Sequence, residues 1–322
     1  MNSIADILSQ FETKRVLVIG DAMIDAYMWG EVNRMSPEAP VPIVEISKRE
    51  SRLGGAANVA LNIQSLGASP VLFSAIGDDH YADLFLDLMK KQSLPTNGIQ
   101  KISSRSTTVK TRIISDNKHV LRVDEEETYT IEEQEIINQL EQMVLSGDFD
   151  VIIFEDYNKG LLSEKLIKRA IKCAVESNTP TIVDPKKENF FAYEGVDVFK
   201  PNLKEIKEGM RVEFDAKSEN DLANHVADLR TRLKAKSILL TLSEDGVYFQ
   251  NAQNSYSEKA HKRNIIDVSG AGDTVVSVAA LALACGLENE TLMRIANLAG
   301  GLVCEKVGVV PIQKADLLNQ EI

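Results

Sequence analysis

Cysteine is scarce in this chain. Its three residues, Cys173, Cys285 and Cys304, lie far apart within helical or apolar patterns. They make neither an even disulfide set nor a metal-ligand spacing, and they read as small buried hydrophobes of a reducing compartment. Histidine is almost as sparse. His80, His119, His225 and His261 share no spacing, which argues against a zinc site. Basic residues are outnumbered, 36 Lys and Arg against 48 Asp and Glu, for a net charge of −12. A nucleic-acid surface needs a basic patch that this balance disfavours, although local lysines can still hold a small anionic substrate. No uninterrupted apolar run is long enough to span a bilayer, and Ser3 to Phe11 reads as a short amphipathic helix rather than a signal region. These absences point to a cytoplasmic enzyme with no membrane or nucleic-acid partner. Three catalytic signatures are missing as well. There is no Gly-x-x-x-x-Gly-Lys-Ser/Thr loop, no Gly-x-Gly-x-x-Gly after the first strand, and no Gly-x-Ser-x-Gly elbow.

What is present fits one large core. The 322 residues are 44% hydrophobic and 26% charged, ordinary for a globular protein. Short, β-branched-rich runs at Val16–Ile19, Val71–Ala75, Val151–Phe154, Thr181–Val183, Val196–Phe199 and Ser237–Thr241 read as strands covered on both faces. Helical patterns separate them at 56–66, 81–92, 131–145, 163–177 and 220–234. This alternation predicts an α/β fold, a doubly wound and mostly parallel sheet flanked by helices. Ligands in such sheets bind at the carboxyl ends of the strands, where Asp21, Asp156, Asp184 and Asn202 stand. Two stretches break the alternation. Residues 27–46 are proline-rich, and 106–124 reads as a hairpin around Ser115-Asp116-Asn117-Lys118. Together they could form a small antiparallel sheet, either a lid over the site or an ordinary edge hairpin. No internal repeat or linker appears, so the chain reads as a single domain, 1–322.

Chemistry concentrates in a few motifs. In Asp267-Val268-Ser269-Gly270-Ala271-Gly272-Asp273-Thr274 a glycine turn runs into the apolar stretch Val275–Ala280, which reads as a buried helix. Unpaired amides and the positive dipole end at a helix N-terminus make an anion cradle. A carboxylate beside it, Asp273, is what phosphoryl transfer to a hydroxyl needs. The alternative is that Asp273 only caps the helix. Gly54-Gly55-Ala56-Ala57-Asn58 also enters a helix. Its glycines permit close approach of a ligand, and Asn58 offers a donor and acceptor for sugar hydroxyls, unless it is a buried Asn satisfied by backbone. Asn202 and Glu205 lie three apart at a helix start, suited either to a hydrated magnesium or to a capping box. Lys159, in Asp156-Tyr157-Asn158-Lys159-Gly160, and Lys186-Lys187 follow strands and could neutralise a phosphate, though surface lysines are usually just solvated.

In this order the motifs resemble those of the ribokinase-like (PfkB) sugar kinases over essentially the whole chain. Gly54–Ala60 and Asp267–Asp273 match the two family signatures, and Asn202 with Glu205 matches the Asn-x-x-Glu motif. Within the family, Gly20–Asp25, Arg34–Pro42, Asp156–Gly160 and Lys200–Asn202 are similar to the branch that phosphorylates a heptose 7-phosphate for lipopolysaccharide precursors. The resemblance implies ATP-dependent phosphorylation of the anomeric hydroxyl of D-glycero-D-manno-heptose 7-phosphate. It implies Asp273 as base and the amides of Gly270, Ala271, Gly272 and Asp273 around the transferring phosphoryl group. It implies ATP and Mg²⁺ as cofactors, the metal ordered through water by Asn202 and Glu205, with room for a monovalent cation. Asp25, Gly54, Gly55 and Asn58 would hold the sugar, and Lys159, then Arg112 and Arg122, its 7-phosphate. Ser243, Gly246, Asn297 and Gly308 match nucleotide-side positions. The family's usual glycine at Ser243 is absent, which predicts a small shift of the nucleotide loop. The lid often pairs with a second subunit, so a homodimer is expected. With no His-x-Gly-His motif present, the resemblance implies a stand-alone kinase or the kinase half of a longer protein, with a separate adenylyltransferase as a partner. The rival readings are a kinase of another sugar or sugar phosphate, and a non-catalytic sugar-binding protein on the same fold.

Overall fold

A computed structural model describes residues 3–116, 118–261 and 263–320. Helix α1 (Ile4–Phe11) is opened by a capping box between Ser3 and Asp6 and buries Ile4, Ile7, Leu8 and Phe11. Strand β1 (Arg15–Gly20) follows. Its side chains alternate between two cores, Val16 and Val18 into one, Leu17 and Ile19 into the other. All four are fully buried, each stabilising by about 1.5–3 kcal/mol relative to exposure. Burial on both faces is why the strand reads as a continuous apolar run.

Two long strands come next, β2 (Ala22–Met35) and β3 (Pro42–Gly55), and β3 ends directly at α2 (Ala56–Ser65). The chain then makes β4 (Ser69–Ile76), α3 (His80–Lys91), β5 (Ile99–Lys101), the hairpin β6 (Val109–Ser115) and β7 (Lys118–Glu125), α4 (Gln134–Ser146), β8 (Val151–Glu155), α5 (Glu164–Glu176), β9 (Thr181–Asp184) and β10 (Val198–Phe199). It closes with α6 (Leu203–Met210), α7 (Glu219–Leu233), β11 (Ser237–Thr241), β12 (Val247–Gln250), β13 (Ser255–Glu258), α8 (Ala271–Ala284), α9 (Asn289–Val303) and α10 (Lys314–Leu318).

The main sheet runs β13-β12-β11-β10-β9-β8-β1-β4-β5. It is parallel except for β12 and β13, an antiparallel edge. Core residues of α1, α2, α3, α8 and α9 cover one face, and those of α4, α5, α6 and α7 the other. The doubly wound expectation therefore holds. Of the run 196–199 only Val198 and Phe199 enter the ladder; Val196 is buried, and its carbonyl instead accepts from the Lys236 amide.

The second sheet has the order β3-β2-β6-β7. Its two ribbons are antiparallel, and they join through a parallel pairing of β2 with β6. It contains most of the expected segments 27–46 and 106–124 but starts earlier and ends later. The first glycine motif is thus the root of the ribbon itself. Asn117, in the expected turn, lies outside the described residues. Among those residues, no helix is long and apolar enough to cross a membrane.

Candidate active site

Gly270 stands at the N-cap of α8 with φ +80°, a left-handed conformation that glycine adopts without steric cost. A Cβ there would also lie 3.3 Å from the Asn58 side-chain nitrogen. The turn delivers Asp273 into the first turn of α8, where the dipole favours an anion. The amide of Ala271 is bonded back to the Val268 carbonyl at 3.3 Å. The Gly272 and Asp273 amides sit at first-turn positions, which lack intrahelical acceptors.

Asp273 is only 5% exposed. Its Oδ2 accepts from Asn58 Nδ2 at 2.7 Å and its Oδ1 from the Tyr157 hydroxyl at 2.9 Å. Burial pushes the carboxyl above the ordinary range; Asp184 adds to this, while the Asn58 and Tyr157 hydrogen bonds and Lys200 oppose it. Asn58 comes from the first turn of α2, and the two helices are stitched again one turn on, where Thr274 Oγ1 donates to Asn62 Oδ1 at 3.1 Å. The two glycine motifs, far apart in sequence, thus form one site.

Around this carboxylate the strand ends supply further charge. Lys200, 2% exposed, donates to Asp184 Oδ2 at 2.8 Å. A Cβ on Gly272 would sit 3.5 Å from that same oxygen. Glu155, directly paired in register with Asp184, is fully buried, and neither of its oxygens has a hydrogen-bond partner. Burial, then the charges of Asp184 and Asp273, push its carboxyl far upward.

Asn202 and Glu205 form a reciprocal capping box on α6: Glu205 N donates to Asn202 Oδ1 at 2.8 Å, and Asn202 N to Glu205 Oε2 at 2.9 Å. Glu205 Oε1 accepts from Lys186 at 2.7 Å. The capping alternative is therefore what these side chains do locally. Among the described residues, no group of three or more His, Cys, Asp or Glu is arranged to hold a metal ion. A cation held mostly by water needs fewer protein ligands, and the carboxylates of Asp184, Glu205 and Asp273 outnumber the ammoniums of Lys186 and Lys200 around them.

At the root of the ribbon, Asp25 pairs with Arg112 from β6. Gly54 makes room for that pair, since a Cβ there would lie 2.2 Å from Asp25 Oδ2. Arg122, the register partner of Arg112, is largely exposed and pairs with Asp124 at 2.9 Å. Lys159 is nearly buried and pairs with Glu126 at 2.9 Å, which Lys110 also binds at 2.7 Å. The three expected phosphate cations therefore each face a carboxylate. On the far side, Gly308 N donates to Asp267 Oδ2 at 2.9 Å, and Asn297 Nδ2 to the Lys259 carbonyl at 2.9 Å. Ser243 holds φ +54° next to Gly246 at φ +96°. It adopts the conformation that favours glycine. A concavity of about 870 Å³ lies between Thr128, Ser163 and Glu188, but Asp273, Asn58 and Gly270 do not line it. The chemistry, not the volume, locates this site.

Sequence reasoning missed the Tyr157 hydroxyl, the Lys200–Asp184 pair and the clamp formed by Asp21. Asp21 accepts from the amides of Tyr157, Lys159 and Leu161 at 2.9, 3.0 and 3.4 Å. The position of all of them at strand ends was the available signal.

The pfkB family of carbohydrate kinases matches residues 13–315. The "Bifunctional protein HldE" of Desulfatibacillum aliphaticivorans is 38% identical over 321 residues, covering 97% of this chain and 64% of the relative. That of Aliarcobacter butzleri is 38% identical over 296 residues, covering 91% and 61%. The chain thus spans less than two thirds of these relatives. Among solved structures, phosphofructokinase-2 from Escherichia coli in complex with potassium superposes with a TM-score of 0.79 at 18% identity, over 95% of this chain and 97% of that one. Arabidopsis thaliana ribokinase complexed with ribose and ATP gives 0.74 at 16%, over 96% and 100%. At those identities the likeness is one of fold.

Proposed function

The chain belongs to the pfkB family of carbohydrate kinases, and on that premise we propose that it moves the terminal phosphoryl group of ATP onto the anomeric hydroxyl of D-glycero-D-manno-heptose 7-phosphate. The product is the 1,7-bisphosphate, a precursor on the way to ADP-heptose and lipopolysaccharide core. The family makes it a phosphotransferase with an alcohol acceptor. The HldE relatives and the motifs at 20–25, 34–42 and 156–160 supply the heptose.

The observation that carries the reading is the meeting of Asn58 and Asp273 at 2.7 Å. A polar group suited to a sugar hydroxyl and a buried carboxylate share one point, at a helix N-terminus suited to phosphate. In this reading Asp273 takes the hydroxyl proton as the oxygen attacks phosphorus. The first-turn amides, Gly272 and Asp273 foremost, face the charge that develops there. Asp25, Gly54, Gly55 and Asn58 hold the sugar, and Lys159, Arg112 and Arg122 exchange their carboxylate partners for the 7-phosphate. Ser243, Gly246, Asn297 and Gly308 line the nucleotide side. Magnesium, ordered through water by Asn202 and Glu205 and balanced by the surplus acids, would neutralise phosphate charge when bound. The potassium of the phosphofructokinase-2 neighbour is the reason to include a monovalent cation in the assay. Exposed Val32, Met35 and Leu121 on the second sheet, with Val41 in the connection between β2 and β3, suit a homodimer through the lid. We read 1–322 as one kinase domain in a cytoplasmic setting, with a separate adenylyltransferase as the consumer of its product.

A second reading, a kinase of another sugar or sugar phosphate, is favoured by one observation: each expected phosphate cation already has an acidic partner. The test is ADP release from Mg-ATP with D-glycero-D-manno-heptose 7-phosphate, fructose 6-phosphate, ribose and adenosine. Turnover confined to the heptose phosphate supports the proposal, and preference for another member replaces it. Lys159→Ala sharpens the choice, because a KM rise of ~10-fold limited to phosphorylated sugars would place the phosphate at that lysine.

A further inference from the structure

We propose that Tyr157 is a positioning residue for the catalytic base, its hydroxyl holding Asp273 ionised and aimed at the acceptor. The inference rests on the reading of Asp273 as that base.

Each carboxylate oxygen of Asp273 has one side-chain donor, Asn58 on Oδ2 and Tyr157 on Oδ1. An ionised carboxylate oxygen has two acceptor sites. Each oxygen so held keeps room for one more donor, the attacking hydroxyl. The surroundings make the two donors necessary. Asp184 at the end of β9 presents like charge to Asp273, burial disfavours the ionised form of Asp273, and Lys200, just past β10, opposes both. Without the phenol, the buried ionised base would face Asp184 with one amide and one ammonium in support.

Tyr157 is itself held with unusual care. Its amide is tied to Asp21 Oδ2 at 2.9 Å, and the same oxygen takes the Lys159 amide at 3.0 Å. Asp156 beside it is fixed by Tyr193 and Asn189. Asn158 and Gly160 then turn the chain sharply with φ of +54° and +94°. Above the ring, Lys186 Nζ lies 5.2 Å from the centroid, and that ammonium also binds Glu205. A cation over the ring withdraws charge from the phenol and makes its hydroxyl a better donor. The ring thereby connects the Asn202–Glu205 cap to the base. Burial and the nearby acids keep the phenol protonated, so toward Asp273 it can only donate.

The experiment is the pH profile of kcat/KM for Tyr157→Phe beside the native enzyme, with Asp273→Asn as reference. Loss of the donor raises the pH at which the base ionises. The acid limb should move up by at least about half a unit, giving a deficit of ~3-fold or more on that limb that closes at higher pH, with KM for ATP unchanged. Superposed limbs, or a loss equal at every pH, overturn the inference. If Asp273→Asn loses turnover while the Tyr157→Phe limb stays put, this inference fails and the base assignment stands. If Asp273→Asn keeps turnover, the base assignment fails and takes this inference with it. Should the Phe variant not fold, fluorotyrosine replaces tyrosine throughout. Its more acidic phenol is a stronger donor, so the acid limb should move down in pH; an unmoved limb overturns the inference.

Discussion

Lys200 and Asp184 form a buried ion pair, Nζ to Oδ2 at 2.8 Å, against the glycine turn that opens α8. Burial opposes the charge on Lys200, and Asp184 and Glu205 more than restore it. Such a pair contributes little net stability while intact, but removing one partner strands the other charge in a dry site.

Lys200→Met should therefore cost about 3–5 kcal/mol, read from urea unfolding. Asp184→Asn in the same chain should recover much of that loss, because the two residues share one interaction. A single-variant cost under ~1 kcal/mol would show that the pair is already hydrated.

Asp273→Asn should lower kcat by ~10²-fold or more, the scale of a lost general base. Its folding stability should hold or rise, since burial opposes the native charge. A nearly unchanged rate would sink the base assignment.

Asp156 holds its proton to about pH 6, against an ordinary 3.8, because burial and the charge of Asp21 disfavour its ionised form. Between those values the folded chain binds more proton than the unfolded one, so this group's contribution falls as pH rises through the window. Asp156→Asn should remove up to about 3 kcal/mol of that decline. Urea midpoints taken from pH 4 to 7 decide it, and parallel slopes for the two proteins would contradict the assignment.

Ser243 occupies a left-handed backbone position on an exposed turn. Ser243→Gly should stabilise by about 0.5–1 kcal/mol, the relief of Cβ strain less the extra chain entropy of glycine. A loss of stability on thermal melting would mean that the hydroxyl has a contact that outweighs the strain.

Much of this architecture was legible because its determinants are local. The strand at 237–241 and the helix after Gly55 are written in short apolar runs and entry turns. Asp273 stood out because the glycines that place it are its neighbours. The capping box of Asn202 and Glu205 was equally readable, its two partners being three residues apart. What stayed hidden depends on contacts between distant segments. The Tyr157 hydroxyl reaches Asp273 across 116 residues of chain, and its ring chemistry says nothing of that partner. The parallel pairing of β2 with β6 joins two hairpins that sequence patterns treat separately. Strands β12 and β13 are four residues each, too short to carry a periodic signal.

Strands β2 and β3 run from the base of the site to the outer sheet, and their pairing is irregular at Trp29/Gly30 and Val32/Arg34. Irregularities of this kind bend a ribbon locally. Asp25 and Gly54 lie on the inner side of both, in uninterrupted register. Both bends therefore fall outboard of the segment that carries Asp25 and Gly54, so a change of pairing toward the tip leaves the alignment of those two residues at the root undisturbed.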